Sequence, residues 1–442
     1  MPPTFSARRS RPLPAAVLLV FAILAAACGP STTSSSPSTS AAPSPSAATG
    51  SPAASASASG VPSSGDPAAD AIYDAVEAQV VAIRGLQPKR PVDRQFIDRT
   101  ELRTLLTQEF DADTPASVLE SSERFYKALG LIPASTSLRT LDLDLLSGGV
   151  EAFYRDDESK LYVVSKTGQP GPTERFYFSH EYDHALQDQN STIFKDFHNV
   201  LDESDQMFAR QAIYEGDATL LMTQWAAANL SQAEFLEILS ASADPAAQAA
   251  LAAAPPFLRE GLTFPYTIGF GYVSNVQGAG GWPAVNAYFT KMPRSTEQIL
   301  HPEKYTADEA PIAVTFPADL ATRVGSGWTV PNQDTLGEFQ IGIWLRESGV
   351  ASADATAAAA GWGGDRAAVI EGPNGAWAVA IDTAWDTAAD AAQFETAATT
   401  AKAKATGTAE VLPGAGGTTR WFLVASDAST LQRVAGALGL AG

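Results

Sequence analysis

The sequence predicts an α+β protein: a mostly helical domain with a small sheet over residues 67–328, then a smaller C-terminal α+β domain over residues 333–442. Three observations carry this. From residue 67 onward, apolar residues recur at helical spacing, interrupted by only two short β-type runs. Past residue 333 the pattern changes to strand-like runs alternating with helices. The chain has 442 residues, 45% of them hydrophobic, which is enough to bury two cores.

The first 27 residues read as an address. Arg8, Arg9 and Arg11 precede an apolar run from Leu13 to Leu24, and the small residues Ala25, Ala26 and Ala27 lead directly to Cys28. This resembles the lipobox of bacterial lipoproteins, in which the cysteine becomes the lipidated first residue. Here Ala25 stands where leucine is usual. Cys28 is the only cysteine, so the chain makes no internal disulfide. Residues 28–66 form the next segment, in which 29–65 carry no charge and consist mainly of Ser, Ala, Pro, Thr and Gly. Such a tract cannot bury enough apolar surface to offset its ordering entropy, and it reads as a disordered tether. The expected location is the extracytoplasmic face of the cell membrane, held by lipid at Cys28. The formal net charge of −20 argues against nucleic acid as a partner, because phosphate binding needs clustered Lys and Arg.

Helices are expected over 67–85, with Ala71, Ile72, Val76, Val80 and Ile83 at core spacing, then over 101–110 and over 117–129 closed by Gly130. Two strands, 148–154 and 161–165, flank a polar turn. A helix over 174–189 and a second over 204–229 follow. In the C-terminal part a helix spans 336–345. A hairpin, 367–371 with 377–381, turns at Pro373-Asn374-Gly375. After it come a helix over 388–402, strands near 408–412 and 420–425, and a last helix over 428–440. Trp362, Trp377, Trp385 and Trp421 read as packing residues.

The chemistry concentrates in the helix over 174–189, which contains His180-Glu181-Tyr182-Asp183-His184. Positions i and i+4 share a helix face, so His180 and His184 can offer two imidazole nitrogens to one ion. Glu181 lies beside them, placed to act as general base toward water activated by that ion. The chain has four histidines, and two of them fall in this pattern. A catalytic zinc needs a third protein ligand. The favoured candidate is Glu215, in Tyr214-Glu215-Gly216-Asp217-Ala218-Thr219 on the second helix, with His198, Glu203 and Asp205 as rivals. Gly216 inside a helix costs about 1 kcal/mol relative to Ala, and implies close backbone approach there, with the motif helix as the expected neighbour.

HEYDHALQDQ followed by YEGDAT resembles the gluzincin branch of zinc peptidases, thermolysin's broad clan. It is more closely similar to a group of bacterial secreted proteins and lipoproteins that pair HEYTHALQDQ-like and EGDAT-like segments. Residues 148–165, 293–302 (PRSTEQILHP) and 361–366 (GWGGDR) resemble that group too, so the likeness extends over nearly everything after the tether. It implies a zincin-like fold, Zn2+ as cofactor, His180, His184 and Glu215 as ligands, Glu181 as base, and a peptide or protein as substrate. Two departures stand out: Asp183 occupies a place where threonine is common, and Glu215 lies farther from the HExxH motif than in thermolysin.

Around this set, Asp188 and Asp217 are candidates to orient the histidines, and His301, Tyr266 and Arg294 are candidates to stabilise a developing oxyanion. By analogy with such enzymes, the strand over 161–165 is expected to be a sheet edge that receives the substrate peptide. The competing expectation is a binding or scaffold lipoprotein that keeps the fold without turnover. Residues 67–147 are long enough to act as an occluding prosegment.

Overall fold

The structure is a computed structural model that describes residues 66–440 apart from 166–167, 201–202 and 243–244. The leader, Cys28 and the tether up to residue 65 lie outside the described residues. The fold is α+β, mostly helical with two sheets. No helix among the described residues is long and apolar enough to cross a membrane.

The first helix, Pro67–Arg84, begins where the Asp66 carboxylate caps Ala68 N–H at 2.9 Å, and stops at Gly85, whose φ of 79° suits glycine. Val76 and Val80 are buried as the spacing predicts, but Tyr73 and Arg84 share that face while Ile72 is 40% exposed. The small sheet comprises β1 (Asp93–Ile97), β2 (Ala152–Arg155) and β3 (Lys160–Val164), in the order β1-β3-β2. β1 pairs with β3 in parallel and β2 pairs with β3 antiparallel. The run over 161–165 is therefore the central strand and not the expected edge; the edges are β1 and β2. The expected strand start at 148 is also too early. Ser137 caps a helix, Leu138–Gly149, that runs through Gly148 and ends only at Val150.

The C-terminal sheet adds β4 (Thr329–Asp334), β5 (Trp362–Glu371), β6 (Trp377–Trp385), β7 (Thr408–Pro413) and β8 (Thr419–Ala425), all antiparallel, in the order β4-β5-β6-β8-β7. The β5–β6 turn has Asn374 at φ 58° and Gly375 at φ 76°, as an Asn-Gly hairpin requires. One face packs on helices Gly337–Glu347, Ser352–Ala359 and Ala388–Ala401, around Trp344, Trp362, Trp385, Phe394 and Phe422. The other packs on Leu320–Val324 and Ala428–Ala437. Phe125, Ala128 and Leu129, from helix Ala116–Ala128 and its end, sit in the first of these cores. The two halves of the chain thus share this one of the hydrophobic cores.

A second tie between the halves is polar. Asp205, in the first turn of helix Ser204–Asn229, accepts hydrogen bonds from Thr296 N–H at 2.9 Å and from the Thr296 hydroxyl, and its own N–H donates to Thr335 O. Asp365 accepts from Leu336 N–H, Gly337 N–H and Trp362 Nε1–H at 2.8–2.9 Å. Gly337, at φ 71°, packs so close that a Cβ would stand 1.8 Å from Asp205 Oδ1. The segments 293–302 and 361–366 meet here and act as a latch on the start of that helix. Glu203 is held by Arg366 and Thr335 Oγ1. Glu203 and Asp205 are thereby committed elsewhere and do not serve as the third ligand.

Burial pushes the Asp205 carboxyl up to about 8, against the pull of its two hydrogen bonds from Thr296. Because the folded value lies above the unfolded one, this group contributes stability below about pH 4 that is lost as pH rises through about 8. Relative to Asp205→Asn, the wild type is therefore expected to lose stability between those limits. Denaturant midpoints of the two chains at pH 5 and pH 9 check this. Equal differences at both pH values would contradict the assignment.

Candidate metal centre

The motif helix, Pro172–Asn190, starts on a proline at its first position. It runs through the middle of the molecule, and every residue from Phe176 to Gln187 is buried. It crosses helix Ser204–Asn229, which is itself buried from Gln211 to Met222. Polar side chains in such surroundings must find partners, and they find them in one another. His180 Nε2 lies 3.1 Å from Glu215 Oε2 and 2.9 Å from His184 Nε2, and His184 Nε2 lies 3.3 Å from Glu215 Oε2. A tetrahedral ion with bonds of about 2.0–2.1 Å sets its ligand atoms about 3.3 Å apart. The triad fits such an ion closely.

The electrostatics point the same way. Burial pushes His180 down to about 4. Burial also opposes charge on His184, but Glu215 and Glu181 beside it prevail and lift it to about 10. Burial opposes charge on Glu215 too, yet the neighbouring histidines hold its carboxyl at about 2. The two carboxylates beside His184 thus favour positive charge on that ring, while His180 stays neutral. The donor set of two imidazole nitrogens and a carboxylate, with Glu181 adjacent, is one that could hold a divalent metal ion. A second carboxylate group, Glu297, Glu309 and Asp386, is not comparable, because Lys304 Nζ already sits among all three at 2.5–2.9 Å.

Glu181 is fully buried. Burial, with Glu215 nearby, pushes its carboxyl up to about 8, while His184 and the backbone N–H of Tyr154 facing it work in the opposite direction. Tyr154 belongs to β2, so the free edge of the small sheet passes beside Glu181. Tyr266 also reaches the site. Its ring centroid is 6.4 Å from that of His180, and burial next to Glu215 keeps its hydroxyl strongly protonated. It is carried by a π-helical turn, Pro265–Gly269, that opens helix Phe270–Tyr288. Gly216 faces this turn: a Cβ there would lie 2.5 Å from Gly269 O. The close approach inferred from Gly216 is therefore to Gly269 and Phe270, and not to the motif helix.

The remaining candidates lie elsewhere. Asp188 accepts from the Tyr154 hydroxyl at 2.8 Å and from Arg90, so it braces β2 and touches neither histidine. Asp217 acts one step removed, through Gln187 and Arg84. His301 pairs with Glu338 at 2.9 Å, and Arg294 bonds Asp308. Among the described residues neither hydrogen-bonds a member of the triad. The side chain of His198 lies outside the described residues. Asp183 faces neither the triad nor solvent but is buried beside Arg84, Asp217 and Gln187.

Residues 323–437 match a domain of unknown function (DUF8575). This segment takes in most of the C-terminal sheet and its helices and does not reach the triad. No curated protein matches the chain. A solved structure from Chloroflexus aurantiacus, described as a candidate hydrolase with a novel fold, covers 54% of this chain and 88% of its own. The identity is 16% and the TM-score 0.36.

The residues that sequence reasoning missed are those that support the triad. Gln187 accepts from His184 Nδ1 at 3.0 Å. It sits three residues after His184, on the same helix face, and that spacing could have found it. Arg84 carried no such signal, since an arginine before a helix-ending glycine reads as an exposed C-terminal residue.

Proposed function

We propose that the chain is a membrane-anchored, extracytoplasmic zinc-dependent peptidase. The observation that carries this reading is the convergence of His180 Nε2, His184 Nε2 and Glu215 Oε2 within 3.3 Å, with Glu181 beside them. Zinc held there would polarise a peptide carbonyl and acidify the attacking water. Glu181 is placed to act as the general base, and would take a proton from water and return it to the leaving amine. Its buried position favours holding a proton between the two transfers. Tyr266, a protonated phenol next to Glu215, is placed to donate a hydrogen bond to the developing oxyanion. The substrate peptide adds to the free edge of β2, which runs past Glu181, by antiparallel pairing.

Metal analysis of the full chain tests the site. About one zinc per chain is expected, absent from both His180→Ala and Glu215→Ala. A well-folded chain purified without chelator that holds no zinc would sink the reading and leave a tethered binding protein. Zinc lost with His180→Ala but kept in Glu215→Ala would remove Glu215 from the ligand set.

A further inference from the structure

Behind His184, on the side away from Glu215, lies a buried polar chain that the proposed chemistry does not use. His184 Nδ1–H donates to Gln187 Oε1 at 3.0 Å. The Gln187 amide nitrogen then donates to Tyr214 O at 3.1 Å, Asp217 Oδ2 at 3.0 Å and Asp183 Oδ2 at 3.2 Å. Asp217 receives both Nε and an Nη of Arg84, at 3.0 and 2.9 Å, and Asp183 lies 3.7 Å from Arg84 Nε. Arg84 is 1% exposed. Its guanidinium also donates to Asn286 and stacks 4.5 Å from the Trp282 ring centroid.

An amide has one accepting end and one donating end, and their shapes are nearly the same. Three acceptors face the far end of Gln187, so that end must be the NH2. The oxygen is left to face His184 Nδ1. That choice fixes the His184 tautomer with its proton on Nδ1 and a free lone pair on Nε2, the form a metal requires. A reversed amide would offer N–H to Nδ1, put the proton on Nε2 and remove the ligand. Two carboxylates hold the amide in place, and they share a single buried cation. Without that cation they would repel each other and lose their fixed orientation.

We propose that Arg84 is a positioning residue for the metal centre: through Asp217, Asp183 and Gln187 it sets the His184 tautomer that ligates. The proposal rests on the metal reading above. It also gives the first folded helix a function, because Arg84 is that helix's last residue. Residues 67–84 are then part of the site and not a removable prosegment.

The test measures zinc affinity of the full chain by chelator competition, together with the visible spectrum of the cobalt-substituted protein, which reports ligand geometry. Arg84→Met, which keeps packing against Trp282, is expected to weaken zinc binding about 10–100-fold and alter the cobalt bands. Adding Asp217→Asn restores the charge balance and is expected to recover part of the loss. Gln187→Leu leaves the arginine and both carboxylates in place and is expected to lose affinity to a similar degree, which covers a failure of Arg84→Met to fold. Wild-type affinity and cobalt spectrum in folded Arg84→Met, or in Gln187→Leu, would overturn the proposal. A wild-type chain that binds no zinc would instead overturn the metal reading on which it stands.

Discussion

Glu181→Gln is expected to lower kcat/KM on peptides by about 10²–10⁴-fold while leaving about one zinc per chain. The substitution preserves volume and one oxygen, so the packing beside His184 and Tyr154 survives. It removes the acidic group that sits beside His184 and Glu215 without being a ligand in the proposed set. The amide cannot accept a proton from water or deliver one to an amine. Hydrolysis of a mixed peptide library, read by mass spectrometry, gives the rate, and metal analysis of the same sample gives the zinc. Loss of rate with metal retained separates a base from a ligand. Full activity in the variant would show that another group takes the proton. A zinc-loaded wild type without turnover on any peptide would favour the scaffold reading.

Gly337→Ala is expected to destabilise the chain by about 3 kcal/mol or more. Two effects add. The residue has φ 71°, a conformation that costs an L-residue about 1–2 kcal/mol. The new methyl would also overlap Asp205 Oδ1 at 1.8 Å and Cγ at 2.2 Å. Either Asp205 abandons Thr296 or the 335–339 segment withdraws from Asp365, and each leaves a buried polar group without its partner, at about 1–3 kcal/mol. A denaturant titration checks this: the midpoint should fall at an unchanged slope. An unchanged midpoint would mean that the latch is not stabilising.

The parts that could be read ahead from the sequence are those set by local chemistry. The boundaries expected for the second helix, 204–229, coincide with Ser204–Asn229, and the motif helix differs by two residues at its start and one at its end. His180, His184 and Glu215 come together because i, i+4 geometry and a buried partner helix leave little alternative. Periodicity contributed less there, since a helix buried on all sides has no apolar stripe to read. The failures are non-local. β1, Asp93-Arg94-Gln95-Phe96-Ile97, looks too polar for a strand until β3 is beside it. The strand order, which puts β3 at the centre of the sheet and β2 at an edge, depends on that parallel pairing. The partner of Gly216 and the burial of Arg84 depend on helix Phe270–Tyr288, far along the chain.

The latch has a bearing on the order in which the protein is made. The helix that carries Glu215 is synthesised well before Thr296, Thr335, Gly337 and Asp365, which hold its first turn. A nascent chain lacking that last third has both histidines and the glutamate but not the contacts that fasten the start of the helix carrying Glu215. Contacts of such long sequence separation form late, because the intervening loop must close before they reward it. A chain released early, by a stalled ribosome or a message cut short, thus carries the three side chains of the triad without the latch that fastens the start of their second helix.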